Sequence, residues 1–117
     1  MNEKVKKVWL KALRSGKYEQ AQQNLGWCDE KAQYEKVIAR PDSFCCLGVL
    51  CHLSGKAEWV QQTGTHGAWY DGELDYLPSS VISWSQLMSM SQTQTLIIMN
   101  DSGSSFLEIA DYIENNL

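Results

Sequence analysis

Cys45, Cys46, Cys51 and His52 stand within eight residues of one another in the apolar run Ser43-Phe44-Cys45-Cys46-Leu47-Gly48-Val49-Leu50-Cys51-His52-Leu53. Thiols beside an imidazole are the raw material of nucleophilic, redox and metal chemistry, and the spacing argues against each. A structural zinc takes four ligands, usually as pairs two to four residues apart. Here Cys45 and Cys46 are adjacent, Cys51 lies five residues on, and Cys28 and His66 sit in distant segments. Adjacent helical residues diverge by about 100°, so only one of the pair could join Cys51 or His52 at an ion. Cys45 and His52 share a helix face but lie roughly 10 Å apart along its axis, too far for a hydrogen bond. A nucleophilic dyad would need His66, whose setting of Thr63-Gly64-Thr65-His66-Gly67 is a surface-loop pattern. The helix dipole could lower the pKa of Cys45 or Cys46 in a first turn, but burial would raise it. The sequence therefore assigns no catalytic residue, no metal ligand and no cofactor. The expectation is three reduced core thiols, with a cysteine-dependent enzyme or redox switch as an alternative.

The elements that would position these residues follow from periodicity and punctuation. Asn2 can cap an opening helix whose apolar stripe is Val5, Val8, Trp9, Ala12 and Leu13, with Ser15-Gly16 as its stop. Residues 18–27 and 33–39 read as two strands that could pair. Pro41 holds Arg40 extended, and Asp42 or Ser43 can cap a cysteine-bearing helix over residues 43–54 that ends at Gly55. That helix is apolar on nearly every side and so central. Its Gly48 costs roughly 1 kcal/mol of helix propensity, which close approach of a neighbour would offset. Residues 58–62 form a short strand, and residues 68–70 and 74–76 flank Asp71-Gly72 as a hairpin. Pro78 with Ser79 or Ser80 opens a short helix through Val81, Ile82, Trp84, Ser85 and Leu87; residues 86–94 read as a loop, and Asn100-Asp101-Ser102-Gly103 as a turn. Ser105-Phe106-Leu107-Glu108 is a capping box for a last helix with the stripe Phe106, Ile109, Ala110, Ile113 and Leu117. The predicted fold is α+β: one domain over residues 1–117, with three or four helices around a central buried cysteine-rich one, packed with a small antiparallel sheet or hairpin.

Composition bounds the function. Hydrophobic residues make up 44% and charged residues 21% of 117, which describes a folded globular chain rather than a disordered one. There is no run of 18 apolar residues, and the charged helical pattern at the N-terminus does not fit a signal peptide, so a cytoplasmic location is expected and no membrane partner. Charge is uneven. Six basic residues face two acidic ones over residues 1–20, whereas from Ala57 to Leu117 there is no lysine or arginine and eight acidic residues. Phosphate contacts by Lys and Arg supply most nonspecific nucleic-acid affinity, so DNA is not an expected partner; an acidic surface suits a basic one. The stretch from Asn100 to Ile113 looks like the lead-in to a helix-turn-helix, but no recognition helix follows it.

Three segments carry a resemblance: Phe44-Cys45-Cys46-Leu47-Gly48-Val49-Leu50-Cys51, the Tyr-Leu-Pro-x-x-Val-x-x-Trp element at Tyr76 to Trp84, and Asn-Asp-Ser-Gly-x-Ser-Phe-x-Glu-Ile-Ala-Asp at Asn100 to Asp111. In this order they resemble a family of small proteins common in tailed bacteriophages, over roughly residues 4–117. The family brings no assigned catalytic residues. Two positions depart from its pattern: His52 stands where an aspartate is usual, and methionine and isoleucine replace smaller residues before Asn100. The resemblance implies a phage-encoded accessory protein acting in the host cytoplasm. The first expectation is a non-enzymatic protein that binds and inhibits a host protein, such as a defence factor, with Trp69, Tyr70 and Tyr76 exposed around the hairpin. The second is a sponge for a small signalling nucleotide: Trp69 or Tyr70 stacks a base, and Asp71, Asn100 and Asp101 line the pocket. In it the helix N-terminus at Ser43 or Ser105 holds a phosphate. Homo-oligomerisation would bring the basic first helix of one subunit to such a site on another.

Overall fold

Asn2 begins the fold as its sequence predicts: its Oδ1 accepts from the Val5 N–H at 3.0 Å and opens α1 (Glu3–Arg14). Val5, Trp9, Ala12 and Leu13 face inward, while Val8 lies at the margin of the stripe and is half exposed. The computed structural model describes residues 1–117. Five short strands follow in part from the middle of the chain: β1 (Glu19–Gln20), β2 (Gly26–Trp27), β3 (Ser43–Phe44), β4 (Trp59–Gln61) and β5 (Gly67–Tyr70). They form one sheet in the order β1-β3-β2-β5-β4, in which β1 and β3 are parallel and the other pairs antiparallel. The sheet is thus mixed, not purely antiparallel.

Several local expectations give way to tertiary pairing. The segments 18–27 and 33–39 do not pair with each other. The first is broken by a turn at Gln23, φ 75°, and the second runs along β4 without forming a strand, through an isolated bridge from Lys36 to Gln61 and a hydrogen bond from the Ala39 N–H to the Trp59 carbonyl at 2.8 Å. Asp71-Gly72 does make a tight turn, with Tyr70 and Glu73 exchanging both backbone hydrogen bonds at 2.8 and 3.0 Å. The hairpin stops there, because the Leu74 carbonyl accepts from the Leu25 N–H at 2.7 Å and Asp75 from Asn24 Nδ2 at 2.9 Å. β5 pairs instead with β4. Ser43 lies in a strand bonded on both sides, so α2 begins later, at Cys46–Ser54, and Cys45 caps it by accepting from the Gly48 N–H at 3.3 Å. Gly55 closes α2 at φ 60°.

Three more helices complete the structure: α3 (Ser79–Ser85), α4 (Met90–Asp101) and α5 (Phe106–Asn116). There are five helices rather than three or four, the additional one being α4. Ser89 caps it, accepting from the Gln92 N–H at 3.3 Å, and Asn100 and Asp101 fall in its last turn rather than in the turn at Ser102 and Gly103. α5 carries the predicted capping box, with Ser105 and Glu108 bonded reciprocally at 3.0 and 3.2 Å. α2 packs against α1, α3 and α4, with the sheet alongside, and one continuous cluster of 25 buried residues makes the molecule a single α+β domain. No helix is long and apolar enough to cross a membrane.

Candidate functional site

The chemically reactive residues are the least accessible. Cys46, Cys51, Leu47, Val49 and Leu50 have no exposed surface, and all four cysteines are free and buried. Burial pushes the Cys45 thiol up to about 11, against the smaller opposing effect of the Gly48 N–H at its sulfur, and raises Cys46 and Cys51 well above the ordinary range. Here desolvation outweighs the helix N-terminus. Cys28 is raised by burial first and by Asp42 second. His66 meets no thiol: its Nδ1 lies 2.9 Å from the Cys28 carbonyl, and its ring stacks on Trp27 at 4.7 Å. No three His, Cys, Asp or Glu side chains converge in a metal-binding arrangement.

The residues expected to line a ligand pocket are divided between the two ends of α2. At its N-terminal end Asn100, fully buried, accepts from the Cys46 N–H at 3.1 Å and from Gln20 Nε2 at 3.0 Å, and donates to the Ala21 carbonyl at 2.8 Å. Asp101 beside it accepts from the Gln23 N–H at 2.8 Å. At the other end Tyr70 is buried, its hydroxyl 3.1 Å from Ser54 Oγ and accepting from the Ala57 N–H at 2.9 Å. Eight residues of helix rise separate these ends, about 12 Å. Trp69 is half-buried opposite Val60, and exposed Asp71 accepts from Ser80 Oγ at 2.6 Å. Ser43 is a strand residue with no helix N-terminus to offer, and Ser105 is engaged in its capping box. The structure does not assemble these six residues into one pocket. Of the three hairpin aromatics, only Tyr76 is mostly exposed, at 62%.

Tyr76 instead belongs to a groove that the sequence did not point to. It runs between α4 and the segment that leads through α3, and its walls are Tyr76, Leu77, Ile82, Met88, Met90 and Ile97. Met90, Gln94, Ile97 and Asp101 recur at i, i+4, i+7 and i+11, so one face of α4 forms one wall and ends on a carboxylate. The groove holds about 90 Å³, a notch for individual side chains rather than a ligand chamber of about 300–1,000 Å³. Met88 and Met90 stand 74% and 77% exposed at its rim. Tyr76 and Ile97 continue into a polar depression that contains Asp75 and Asp101. Each carboxylate has one oxygen engaged, by Asn24 and Gln23 respectively, and one without a hydrogen bond. No cation pairs with either, since the ion pairs of the molecule join Arg14 to Asp111 and Glu114.

The four consecutive apolar residues from Leu96 to Met99 were the available signal. Only Leu96 is fully buried, and Ile98 is 64% exposed, so α4 carries more apolar surface than the core takes up. Neither a curated protein nor a solved structure matches the chain. The family model described as "Domain of unknown function (DUF8296)" matches residues 1–117, and the chain belongs to that family.

Proposed function

We propose that this is a phage accessory protein, without catalysis of its own, that binds and inhibits a host protein in the host cytoplasm, a defence factor being the expected target. One observation supports this reading above the others: the groove beside α4 combines exposed methionines, an exposed tyrosine and an unpaired acidic end. Methionine adapts to varied apolar partners, aromatic anchors supply much of the binding energy at interfaces, and rim charges select partner and orientation. The occupant that fits is an amphipathic helix of the host protein, with its apolar face on Met88, Met90 and Ile97 and a Lys or Arg reaching Asp75 and Asp101. The absence of any lysine or arginine beyond Lys56 keeps that half of the surface favourable to a basic segment. The phage origin rests on the resemblance of the three sequence motifs. The test is capture of a stoichiometric partner from host lysate by the wild-type chain, repeated with Met90→Asp and with Asp75→Lys. The expected result is a partner that loses activity when bound, is lost from both variants and is retained at low salt better than at high salt. No stoichiometric partner across several hosts, or one that both variants retain, would overturn the reading.

A further inference from the structure

A second depression shares no residue with the α4 groove and mixes both signs of charge, with Lys17 and Arg40 beside Glu19, Asp42 and Glu58. It is an open cleft of about 680 Å³, within the range of about 300–1,000 Å³ that small ligands occupy. Tyr18, Phe44, His52 and Trp59 line it as a continuous aromatic cluster, with ring centroids 5.2 to 6.1 Å apart and planes edge-on or tilted to one another; Phe44 and Trp59 are buried beneath the half-buried Tyr18 and the exposed His52. Trp59 Nε1–H donates to His52 Nδ1 at 3.3 Å, which fixes the imidazole proton on Nε2. His52 is exposed as a residue, and partial desolvation beside these rings lowers its pKa. Lys17 and Arg40 stand at the mouth without ion pairs or side-chain hydrogen bonds. Glu19 and Glu58 line it with their carboxylates unbonded, while Asp42 is tied to the Asp29 N–H at 2.8 Å.

A site with an aromatic lining, free cations and free carboxylates takes a ligand that carries a flat ring, one anionic group and hydroxyl donors. Base stacking on aromatic side chains is tolerant of sequence, and guanidinium meets phosphate in a bidentate fork. We propose that this cleft binds a nucleoside 5′-monophosphate, with its base stacked on the exposed His52 ring and edge-on to Tyr18, its phosphate on Arg40 and Lys17, and its ribose hydroxyls donating to Glu19 and Glu58. Two cations beside three carboxylates give no further positive charge for a longer phosphate chain or a nucleic-acid backbone, so the monophosphate is preferred over the triphosphate.

The probe is AMP, titrated into the full chain and followed by the Trp59 Nε1–H resonance and tryptophan fluorescence. Expected is saturable binding at millimolar concentration or below, weakened at least tenfold in Arg40→Ala and in Lys17→Ala, with ATP, adenosine and ribose 5-phosphate each binding more weakly than AMP. Arg40 and Lys17 make no internal contact that folding depends on, and far-ultraviolet circular dichroism should be unchanged in both variants. Met90→Asp should bind AMP as wild type, which separates this proposal from the protein-binding reading. No saturable response to AMP, equal affinity for ribose 5-phosphate or adenosine, or wild-type affinity in both cleft variants would overturn it.

Discussion

α2 and α4 lie against each other in the core, yet they divide the properties of a functional element between them. α2 and its capping residue Cys45 carry three thiols and a histidine, and tertiary packing removes all three thiols from solvent. α4 carries no charged residue before Asp101, only methionine, isoleucine, leucine and small polar side chains, and it presents much of its apolar surface outward. Reactive residue types and available surface are therefore on different helices. The intrinsic chemistry of a side chain matters only as far as its surroundings leave it accessible, and in α2 desolvation decides against it.

The largest effect that could break this contrast is thiol reactivity. With Cys45 held at about 11 by burial, roughly one molecule in ten thousand carries its thiolate at pH 7. The four thiols should resist DTNB in the native protein and react together on unfolding. Rapid labelling of one of them by stopped flow would return α2 to the list of chemical sites.

Gly48→Ala tests how tightly α2 is held. A Cβ there would sit 1.7 Å from the Leu25 carbonyl oxygen, so the roughly 1 kcal/mol of helix propensity gained is outweighed by forced separation of α2 from the chain entering β2. Overpacking against backbone of this severity should cost about 3 kcal/mol or more, read from the urea midpoint. Next in size is Asn100→Ala, which leaves the buried Cys46 N–H without its acceptor and removes one of the two acceptors of the Gln20 amide. A loss of about 2–3 kcal/mol is expected.

A smaller effect concerns His52. Its folded-state pKa lies below 6.5 because burial disfavours the charged ring, so between that value and 6.5 the unfolded chain binds more protons than the folded one. Stability contributed by the neutral ring is present above pH 6.5 and is lost as pH falls through this window, and His52→Gln should flatten that acid limb in thermal melts recorded from pH 7.5 to 5. The smallest stability change belongs to α4: Met90→Ser should remain within about 0.5 kcal/mol of wild type by urea denaturation, as expected of a residue exposed for binding rather than for folding.

Much of the framework was legible because it is governed by local rules. The caps at Asn2 and Ser105, the stops at Gly16 and Gly55, the stripe of α5, and the demand of Gly48 for a close neighbour are all short-range or steric signals. α4 escaped because its apolar residues are spread around the helix, with Leu96 to Met99 in succession, and no amphipathic period marks it. The hairpin was misplaced because the Asp71-Gly72 turn specifies two residues of pairing and no more, after which Leu25 and Asn24 draw Leu74 and Asp75 away. The candidate pocket failed for the same kind of reason: Tyr70 and Asn100 are polar residues near turns in sequence, and only the position of α2 between them shows that each is a buried hydrogen-bonding support for one of its ends.

The sequence by itself determined the α+β class, the buried cysteine helix, the terminal helices and the segregation of charge, since capping, periodicity and composition act over a few residues or need no geometry at all. Tertiary structure alone decided which strands pair, that residues 90–101 are helical, and where aromatic and charged side chains converge into the α4 groove and the His52 cleft. Those outcomes depend on contacts between residues distant in the chain, such as Phe44 with Trp59 and Asn100 with Cys46, whose energies no local pattern records.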